Sequence, residues 1–500
     1  MLSKTEEGIV LNKVMAGRIR WCGLALAAGL LSSCVAFGPA QNSPAEVTAV
    51  PLPTPAPRAE TAKKRVPAQV ERNFGGAYDS PDIERRLATI VQRLVPVSER
   101  PDLRYSVTIL NAPTINAFAL PDGQLFVTRG LVALANDEAE IAAVLAHEMS
   151  HVIARHATQR VEAAQKTLLG SRVLSIVTGD RALGQQALVS GALSLASFSR
   201  QQEIEADQIG IRNIYRAGFD PYGASRLLQD MDRFAAFRAS LPGQQGDEDN
   251  ENGFLSTHPS TPERLSLAVA AARQIGGPDI ANRENDSYVR ALEGVLYGDD
   301  PNSGLVRGRR FLHPAFGFAF EAPSGFVLEN SPRAVIGVST DGRALRFDTI
   351  RVQPLTSLTE SLQASATPEL TIDNIERLTI NGNEAATALG ASPGWIFRFV
   401  LVRLGNDVYR FIFATRQMTP QIDAEFTASA ASFRRLSPLE KSTIRPLRVR
   451  IVTVGPLDSV ESLAERMVDS PKPVDQFLAL NGLDRGQKLR LGMPVKIIAE

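Results

Sequence analysis

HEMSHVIARH, residues 147–156, contains three of the five histidines in this chain of 500 residues. It lies within NDEAEIAAVLAHEMSHVIARHATQRVEAA, where apolar residues recur at helical spacing. Asp137 followed by Glu140 is typical of a capped helix start. The sequence therefore predicts that the three histidines lie in the middle of a long helix.

The spacing inside this stretch suits a metal site. His147 and His151 are four residues apart, so on a helix they share one face and both rings can point at one ion. Glu148 lies about 100° around the helix from His147, near enough to reach a water molecule on that ion. Zinc lowers the pKa of such a water toward ~7, and a nearby carboxylate can take its proton. We predict one Zn²⁺ per chain with Glu148 as the base; a structural metal site or a plain polar helix face is the alternative.

A third protein ligand is expected downstream, in the motif RQQEIEAD. Glu203 and Asp207 share one helix face there, whereas Glu205 points elsewhere. We interpret Glu203 as a metal ligand and Asp207 as the residue that accepts a hydrogen bond from a ligating histidine and fixes its tautomer. Two solvated acids are the alternative. His156, five positions after His151, is predicted to face away from the ion and to serve in packing or hydrogen bonding.

Several motifs together resemble one peptidase family. HEMSH, SRQQEIEAD, GFDP and STHPSTPERL, spread over about residues 73–300, are similar to motifs of the zinc peptidases that include HtpX, BepA and the Ste-twenty-four prenyl-protein proteases. The BepA-like branch fits best. The resemblance implies a mostly helical, zincin-type domain with a small β-hairpin or sheet. It also implies that His147, His151 and Glu203 bind zinc and that Glu148 is the base.

Two further assignments depend on this resemblance. His258, in THP, matches a histidine that takes the fourth zinc position and holds the enzyme closed; an uninvolved loop histidine is the alternative. NAFALP resembles the edge strand of the active-site cleft, where a substrate adds as an extra strand beside Asn116 and Ala117. An ordinary hairpin is the alternative for that segment.

The N-terminal sequence predicts export and lipid attachment. Basic residues precede the short apolar run CGLALAAGL, and LSSC follows, which is the layout of a secretory signal. The run is too short for a bilayer span, which needs about 20 residues, and LSSC resembles a bacterial lipobox. We expect a signal peptide over residues 1–34 and lipid on Cys34, with an uncleaved anchor as the alternative. Val35 resembles the sorting pattern for the outer membrane, so a periplasmic, outer-membrane-anchored location is expected.

Composition divides the rest of the chain. Residues 35–72 are rich in Pro and Ala and are predicted to form a tether ahead of the peptidase domain at residues 73–300. Residues 305–437 show short alternating strands with one or two helices, an α+β module of unknown role. Residues 447–500 follow the order strand, helix, helix, strand and resemble a LysM domain, a family that binds N-acetylglucosamine-containing glycans. The predicted fold class is therefore α+β.

The charge balance excludes one class of partner. Lys plus Arg and Asp plus Glu are 54 each, so there is no electrostatic basis for nucleic-acid binding. Together with the resemblance, the sequence predicts a zinc endopeptidase that acts on misfolded or misassembled envelope proteins. The alternatives are a latched, chaperone-like protein with little proteolytic activity, or an envelope protein that binds peptidoglycan through residues 447–500.

Overall fold

The computed structural model describes residues 49–50, 66–178, 199–241, 254, 258–278, 285–353, 356–468 and 470–500. The predicted signal peptide, Cys34 and most of the predicted tether lie outside these ranges. Within them, no helix combines the length and the apolar character that crossing a bilayer requires.

The described chain is α+β, and its elements are numbered here in chain order. The helices are α1 (Ala68–Phe74), α2 (Pro81–Leu94), α3 (Arg129–Leu134), α4 (Glu138–Ile153), α5 (His156–Thr178), α6 (Arg200–Arg216), α7 (Gly223–Ala239), α8 (Pro262–Ile275), α9 (Asn285–Ala291), α10 (Leu358–Gln363), α11 (Pro420–Ala431), α12 (Pro438–Thr443), α13 (Val460–Ala464) and α14 (Pro473–Leu480). The strands are β1 (Ala49–Val50), β2 (Ser106–Leu110), β3 (Ala117–Ala119), β4 (Gln124–Thr128), β5 (Leu305–Arg307), β6 (Arg310–His313), β7 (Phe318–Glu321), β8 (Phe326–Asn330), β9 (Val335–Ser339), β10 (Ala344–Ile350), β11 (Thr371–Ile380), β12 (Asn383–Ser392), β13 (Trp395–Leu404), β14 (Asp407–Thr415), β15 (Arg434–Arg435), β16 (Arg448–Thr453) and β17 (Pro494–Ala499). The last five residues of the predicted tether thus belong to α1.

Helix α4 lies at the centre of the N-terminal unit, the described part of residues 73–300. Asp137 caps its start by accepting a hydrogen bond from the Glu140 amide at 2.9 Å, as the sequence predicts. Helices α6 and α7 approach α4 closely because glycines stand at the contacts. A Cβ on Gly223 would lie 2.4 Å from the Ala139 carbonyl oxygen, and one on Gly210 would press on the backbone of α4. Helix α4 is therefore buried on nearly every side, and its polar motif faces protein.

The prediction of one long helix through the motif is wrong. Helix α4 ends at Ile153, α5 begins at His156, and Arg155 between them has a left-handed φ of 58°. A residue in this conformation ends an α-helix because it turns the chain out of the helical path. The HEMSH motif consequently lies in the last turns of α4, and His156 turns back toward His151.

A three-stranded sheet with the order β2-β4-β3 packs beside α4. Strands β2 and β4 are parallel, and β3 and β4 form the antiparallel hairpin that the sequence predicts. The hairpin turn needs glycine at Gly123, where φ is 89° and a Cβ would lie 2.2 Å from the Arg104 carbonyl oxygen. Strand β3 is the edge of this sheet and lies against α4.

Residues 305–437 contain a largely antiparallel sheet with the order β11-β12-β13-β14-β10-β9-β8, and β1 pairs with β10. One face packs with the smaller sheet β15-β7-β6-β5 and with α11 around a phenylalanine-rich core that includes Phe320, Phe347 and Phe411. The other face packs with α10. Residues 305–437 thus combine strands with the two helices α10 and α11, an α+β arrangement.

The C-terminal unit, residues 447–500, has the predicted order β16, α13, α14, β17, with β16 and β17 antiparallel. Its apolar core is continuous with that of the N-terminal unit. Backbone hydrogen bonds join the two: Gly294 donates to Val449 at 2.9 Å, and Val449 donates to Val295 at 2.8 Å. The C-terminal unit and the N-terminal unit therefore share one core.

Lys496 of β17 buries its ammonium group at this junction. Its Nζ donates to the carbonyl oxygens of Ala133, Leu134 and Ala135 at 2.9, 2.7 and 3.0 Å, and its side chain is fully buried. These carbonyls end α3, where a helix has unpaired acceptors and favours a cation. Lys496 thus caps a helix of the N-terminal unit just ahead of α4.

Candidate metal centre

Four buried side chains bring one ligand atom each to a common point. His147 and His151 come from α4, Glu203 comes from α6, and His258 precedes α8. Their ligand atoms all lie within 4.8 Å of one another. The structure thus brings together the three ligands and the fourth histidine that the sequence and the family resemblance predict.

The spacings between these atoms match a tetrahedral metal site. His147 Nε2 lies 3.0 Å from His151 Nε2 and 3.3 Å from His258 Nδ1. Glu203 Oε1 lies 3.0 Å from His258 Nδ1 and 3.4 Å from His151 Nε2. With metal–ligand distances of about 2.0–2.1 Å, the ligand atoms of a tetrahedral site lie roughly 3.3 Å apart. The four side chains therefore fit around one metal ion.

The electrostatics of the cluster favour a cation. Burial lowers the pKa of His151 to about 3, so this ring is neutral and has a lone pair to give. Burial also disfavours charge on His147, but hydrogen bonds to the Asp207 and Glu203 carboxylates outweigh it and raise the His147 pKa to about 10. Burial alone would raise the pKa of Glu203, yet the neighbouring histidines hold it well below its ordinary value. The anionic carboxylates thus draw positive charge into the cluster, which a metal ion supplies.

Asp207 lies behind His147, where the sequence places it. Its Oδ1 lies 2.9 Å from His147 Nδ1, the ring nitrogen that faces away from the cluster. This contact leaves Nε2 of His147 for a metal ion. Although burial alone would raise the pKa of Asp207, hydrogen bonds from His147 and Arg264 hold it below its ordinary value. Asp207 is therefore a fixed acceptor that orients the ring.

Arg264 of α8 is a site residue absent from the sequence predictions. It donates to both carboxylate oxygens of Asp207 at 2.8 and 2.9 Å and lies 2.8 Å from Glu203 Oε2. The sequence does carry a signal, since Arg264, Ala268 and Ala272 form the buried stripe of α8. A charged residue in an apolar stripe needs buried partners, and the two carboxylates provide them.

Glu148 lies beside the cluster without entering it. Its Oε1 lies 3.6 Å from His258 Nε2 and, among the described residues, accepts no hydrogen bond. Burial raises the pKa of Glu148, although nearby histidines and a hydrogen bond from the Ala119 amide oppose the rise. A buried carboxylate with a raised pKa and an open acceptor atom suits proton transfer near neutral pH.

A cavity of about 330 Å³ opens next to Glu148. Besides Glu148, its lining comes from the β3 hairpin, the end of α4, the start of α5 and the fourth histidine: Phe118, Ala119, Pro121, His151, Val152, Arg155, Ala157, Thr158, Arg160 and His258. The cavity therefore joins the edge strand to the metal cluster.

Of the two residues predicted to lie along a substrate, Asn116 has its backbone turned toward β4. Its amide donates to Thr128 Oγ1 and its carbonyl accepts from the Thr128 amide, each at 2.9 Å. Because backbone groups alternate in direction along an antiparallel strand, those of Ala117 and Ala119 face away from β4. Ala117 is fully buried, and the Ala119 amide donates to Glu148. The Asn116 backbone is therefore paired within the sheet, and the substrate role of Asn116 and Ala117 stays a prediction.

Phe254 holds His258 over the cluster. The two rings stack with centroids 4.5 Å apart and an angle of 17° between their planes. The Phe254 amide donates to the Ile115 carbonyl at 2.8 Å, just ahead of β3, and the His258 amide donates to the Phe254 carbonyl at 2.8 Å. The histidine is thus tied to the strand that edges the cavity, and the sequence gives no sign of this role for Phe254.

His156 is hydrogen bonded, as the sequence predicts, but its partner is His151. The two Nδ1 atoms lie 2.9 Å apart, and the His156 ring is fully buried. The helical spacing places this ring on another face, so the contact exists only because the helix breaks at Arg155.

The chain is similar to known metallopeptidases over the region that contains this cluster. Residues 81–272 match peptidase family M48. The chain is 34% identical over 182 residues to the mitochondrial metalloendopeptidase OMA1 of Schizosaccharomyces pombe, covering 36% of this chain and 50% of that protein. It is 30% identical over 235 residues to the beta-barrel assembly-enhancing protease of Yersinia pestis (45% and 46% covered) and 28% identical over 230 residues to that of Escherichia coli (44% and 44%). The chain spans about half the length of these relatives.

Proposed function

Residues 81–272 form a peptidase family M48 domain, and from this premise we propose that the chain is a zinc-dependent endopeptidase of the bacterial envelope. One observation carries the proposal: four buried ligand atoms converge beside the Glu148 carboxylate. We propose misfolded or misassembled envelope proteins as substrates, which the similarity to beta-barrel assembly-enhancing proteases supports.

The side chains divide the chemistry of peptide hydrolysis between them. His147, His151 and Glu203 would hold one Zn²⁺, and the bound ion would supply a Lewis acid that polarises the scissile carbonyl and acidifies water. Glu148 takes a proton from the water that attacks the carbonyl carbon. It then gives this proton to the amine nitrogen as the carbon–nitrogen bond breaks. Asp207 keeps the His147 ring in the tautomer that leaves Nε2 for the ion.

Strand β3 is the proposed binding edge for an extended substrate. Its residues Phe118 and Ala119 line the cavity beside Glu148, and the Ala119 carbonyl faces away from β4. A substrate strand added at this edge gains backbone hydrogen bonds without depending on side-chain identity. Such binding suits unfolded proteins of varied sequence.

Zinc content and casein cleavage test this proposal together. Protein purified without the predicted signal peptide is expected to contain one zinc per chain. It is also expected to cleave casein, to lose cleavage after chelation and to regain it with Zn²⁺. Protein that folds without binding zinc would contradict the metal assignment.

His258 supports a second candidate, a latched protein with little proteolytic activity. A catalytic zinc site keeps one position open for water and substrate, and His258 Nδ1 lies at the distance of a fourth ligand. With Phe254 stacked on its ring, His258 occupies the place that substrate must take.

The variant His258→Ala is expected to raise casein cleavage by about tenfold or more, because an open state in such an equilibrium holds ~0.1–10% of the molecules. Zinc content is measured in parallel and should stay at one per chain, since three ligands remain. An unchanged cleavage rate with zinc retained would show that His258 is not a latch.

The sequence features outside the described residues give the proposed location. The lipobox-like LSSC supports lipid on Cys34, and the residues after it form the predicted tether. We propose that the peptidase is held by this lipid at the periplasmic face of the outer membrane.

A groove in the C-terminal unit favours peptidoglycan as a further partner. A cavity of about 470 Å³ lies between the loop that leads into α13 and the loop after α14. Its polar lining consists of Asp458, Ser459, Glu461, Arg485, Gln487 and Lys488. Hydroxyl, amide and charged groups around a groove of this size suit the hydroxyls and acetamides of a glycan chain.

We expect the protein to sediment with purified peptidoglycan and the variant Gln487→Trp, which fills the groove, to stay in solution. Lys472→Ala is the matched control, since Lys472 lies in the same unit outside the groove. Equal sedimentation of Gln487→Trp and the unaltered protein would contradict glycan binding at this groove.

A further inference from the structure

We propose that His156 is a positioning residue that fixes the tautomer and ring orientation of His151, with Glu205 orienting His156 in turn. The inference rests on the proposed zinc site. It assigns a function to a histidine whose spacing in the sequence places it away from the ion.

The contacts determine where the protons lie. His151 Nε2 faces the other ligand atoms, so its Nδ1 must carry the ring proton when Nε2 binds zinc. Nδ1 of His156 lies 2.9 Å away and is the acceptor for that proton. The proton of His156 then resides on Nε2, which lies 3.4 Å from Oε2 of Glu205. The Glu205 carboxylate thus favours the single arrangement in which His151 Nε2 is free to bind metal.

The backbone conformation at Arg155 allows the contact between His156 and His151. On a continuous helix, a residue five positions along is rotated by about 140° from the first. Arg155 adopts a left-handed φ of 58° instead, and the chain delivers the His156 ring, fully buried, against His151 with centroids 4.9 Å apart. A non-glycine residue held in this conformation indicates that the surrounding structure imposes it.

Each of the two ligating histidines of α4 consequently has its own hydrogen-bond partner outside the ligand cluster. The Nδ1 of His147 meets Asp207, which Arg264 holds. The Nδ1 of His151 meets His156, which Glu205 faces. Outer partners of this kind orient a ring before the metal arrives, and their loss weakens metal binding.

Zinc affinity, measured by competition with a chelator, tests the role of His156. His156→Phe keeps a ring in the site but removes the acceptor, and we expect its zinc dissociation constant to rise by about 10–100-fold. His156→Asn is smaller but keeps an acceptor oxygen near the position of Nδ1, so it should recover most of the affinity. Glu205→Leu should weaken binding less than His156→Phe, because Glu205 is half exposed.

The relative zinc affinities of His156→Phe and His156→Asn distinguish a positioning role of His156 from a packing role. If His156 only fills space, His156→Phe will bind zinc like the unaltered protein and His156→Asn will be the weaker variant, which would overturn the inference. Thermal melting of the zinc-free proteins shows whether each variant folds. Failure of the unaltered protein to bind zinc would instead contradict the proposed metal site itself.

Discussion

Glu148→Gln is expected to lower casein cleavage by about 10²–10⁴-fold, the usual contribution of a general acid–base group. Glutamine has nearly the same shape, so the Ala119 amide keeps its acceptor and the cluster is undisturbed. The amide cannot take a proton from water, however. Initial cleavage rates and zinc content are measured on the same preparation, and zinc should stay at one per chain.

The matched control is Glu263→Gln, which makes the same change at an exposed carboxylate paired with Arg200. We expect its cleavage rate and stability to stay near those of the unaltered protein, as for most surface substitutions. A Glu148→Gln protein that keeps zinc and cleaves casein at the normal rate would contradict the assignment of Glu148 as the base. Loss of both zinc and cleavage would point to a disturbed metal site instead.

Site residues that share one face of a helix can be grouped from the sequence alone. A repeat of 3.6 residues per turn fixes which side chains share a face, and this is enough to group His147 with His151 and Glu203 with Asp207. The period does not say which helices pack together. The family resemblance supplies that step and also points to His258, which lies outside any regular element.

The contacts of His156, Arg264 and Phe254 cannot be predicted from the helical repeat of the sequence. His156 reaches His151 through one left-handed residue, which breaks the helix on which the spacing argument depends. The sequence shows that Arg264 is a charged residue among the buried residues of α8. It does not show which carboxylates pair with it, because they lie on α6, far away in the chain. Phe254 acts through stacking and one backbone hydrogen bond, and neither leaves a pattern in the sequence.

The packing of the C-terminal unit is a similar long-range effect. The order strand, helix, helix, strand can be predicted for residues 447–500 because each element has its own apolar pattern. The sequence alone suggests a separate binding module. The structure instead shows one continuous core and a lysine of β17 capping α3. If the C-terminal unit binds glycan as proposed, this binding and the stability of the peptidase domain are expected to be linked.

Lys496→Met is expected to lower the free energy of unfolding by about 3–5 kcal/mol, the usual cost of removing one partner from a buried charged network. Methionine fills similar space but leaves the carbonyls at the end of α3 without their donor. Burial lowers the pKa of Lys496 to about 7, with Asp230 and Glu140 opposing. Unfolding is therefore measured at pH 6, where the ammonium form predominates, by calorimetry and by residual casein cleavage after heating.

Lys472→Met is the control, because Lys472 lies in the same unit and donates to one carbonyl, that of Ser240, from an exposed position. Its cost should stay within about 0.5 kcal/mol. For Lys496→Met, a shared core predicts that the peptidase domain and the C-terminal unit unfold together at a lower temperature. Casein cleavage should be lost in the same transition. If the C-terminal unit melted alone while cleavage persisted at higher temperature, the two would be independent domains, and Lys496 would stabilise only the unit that carries it.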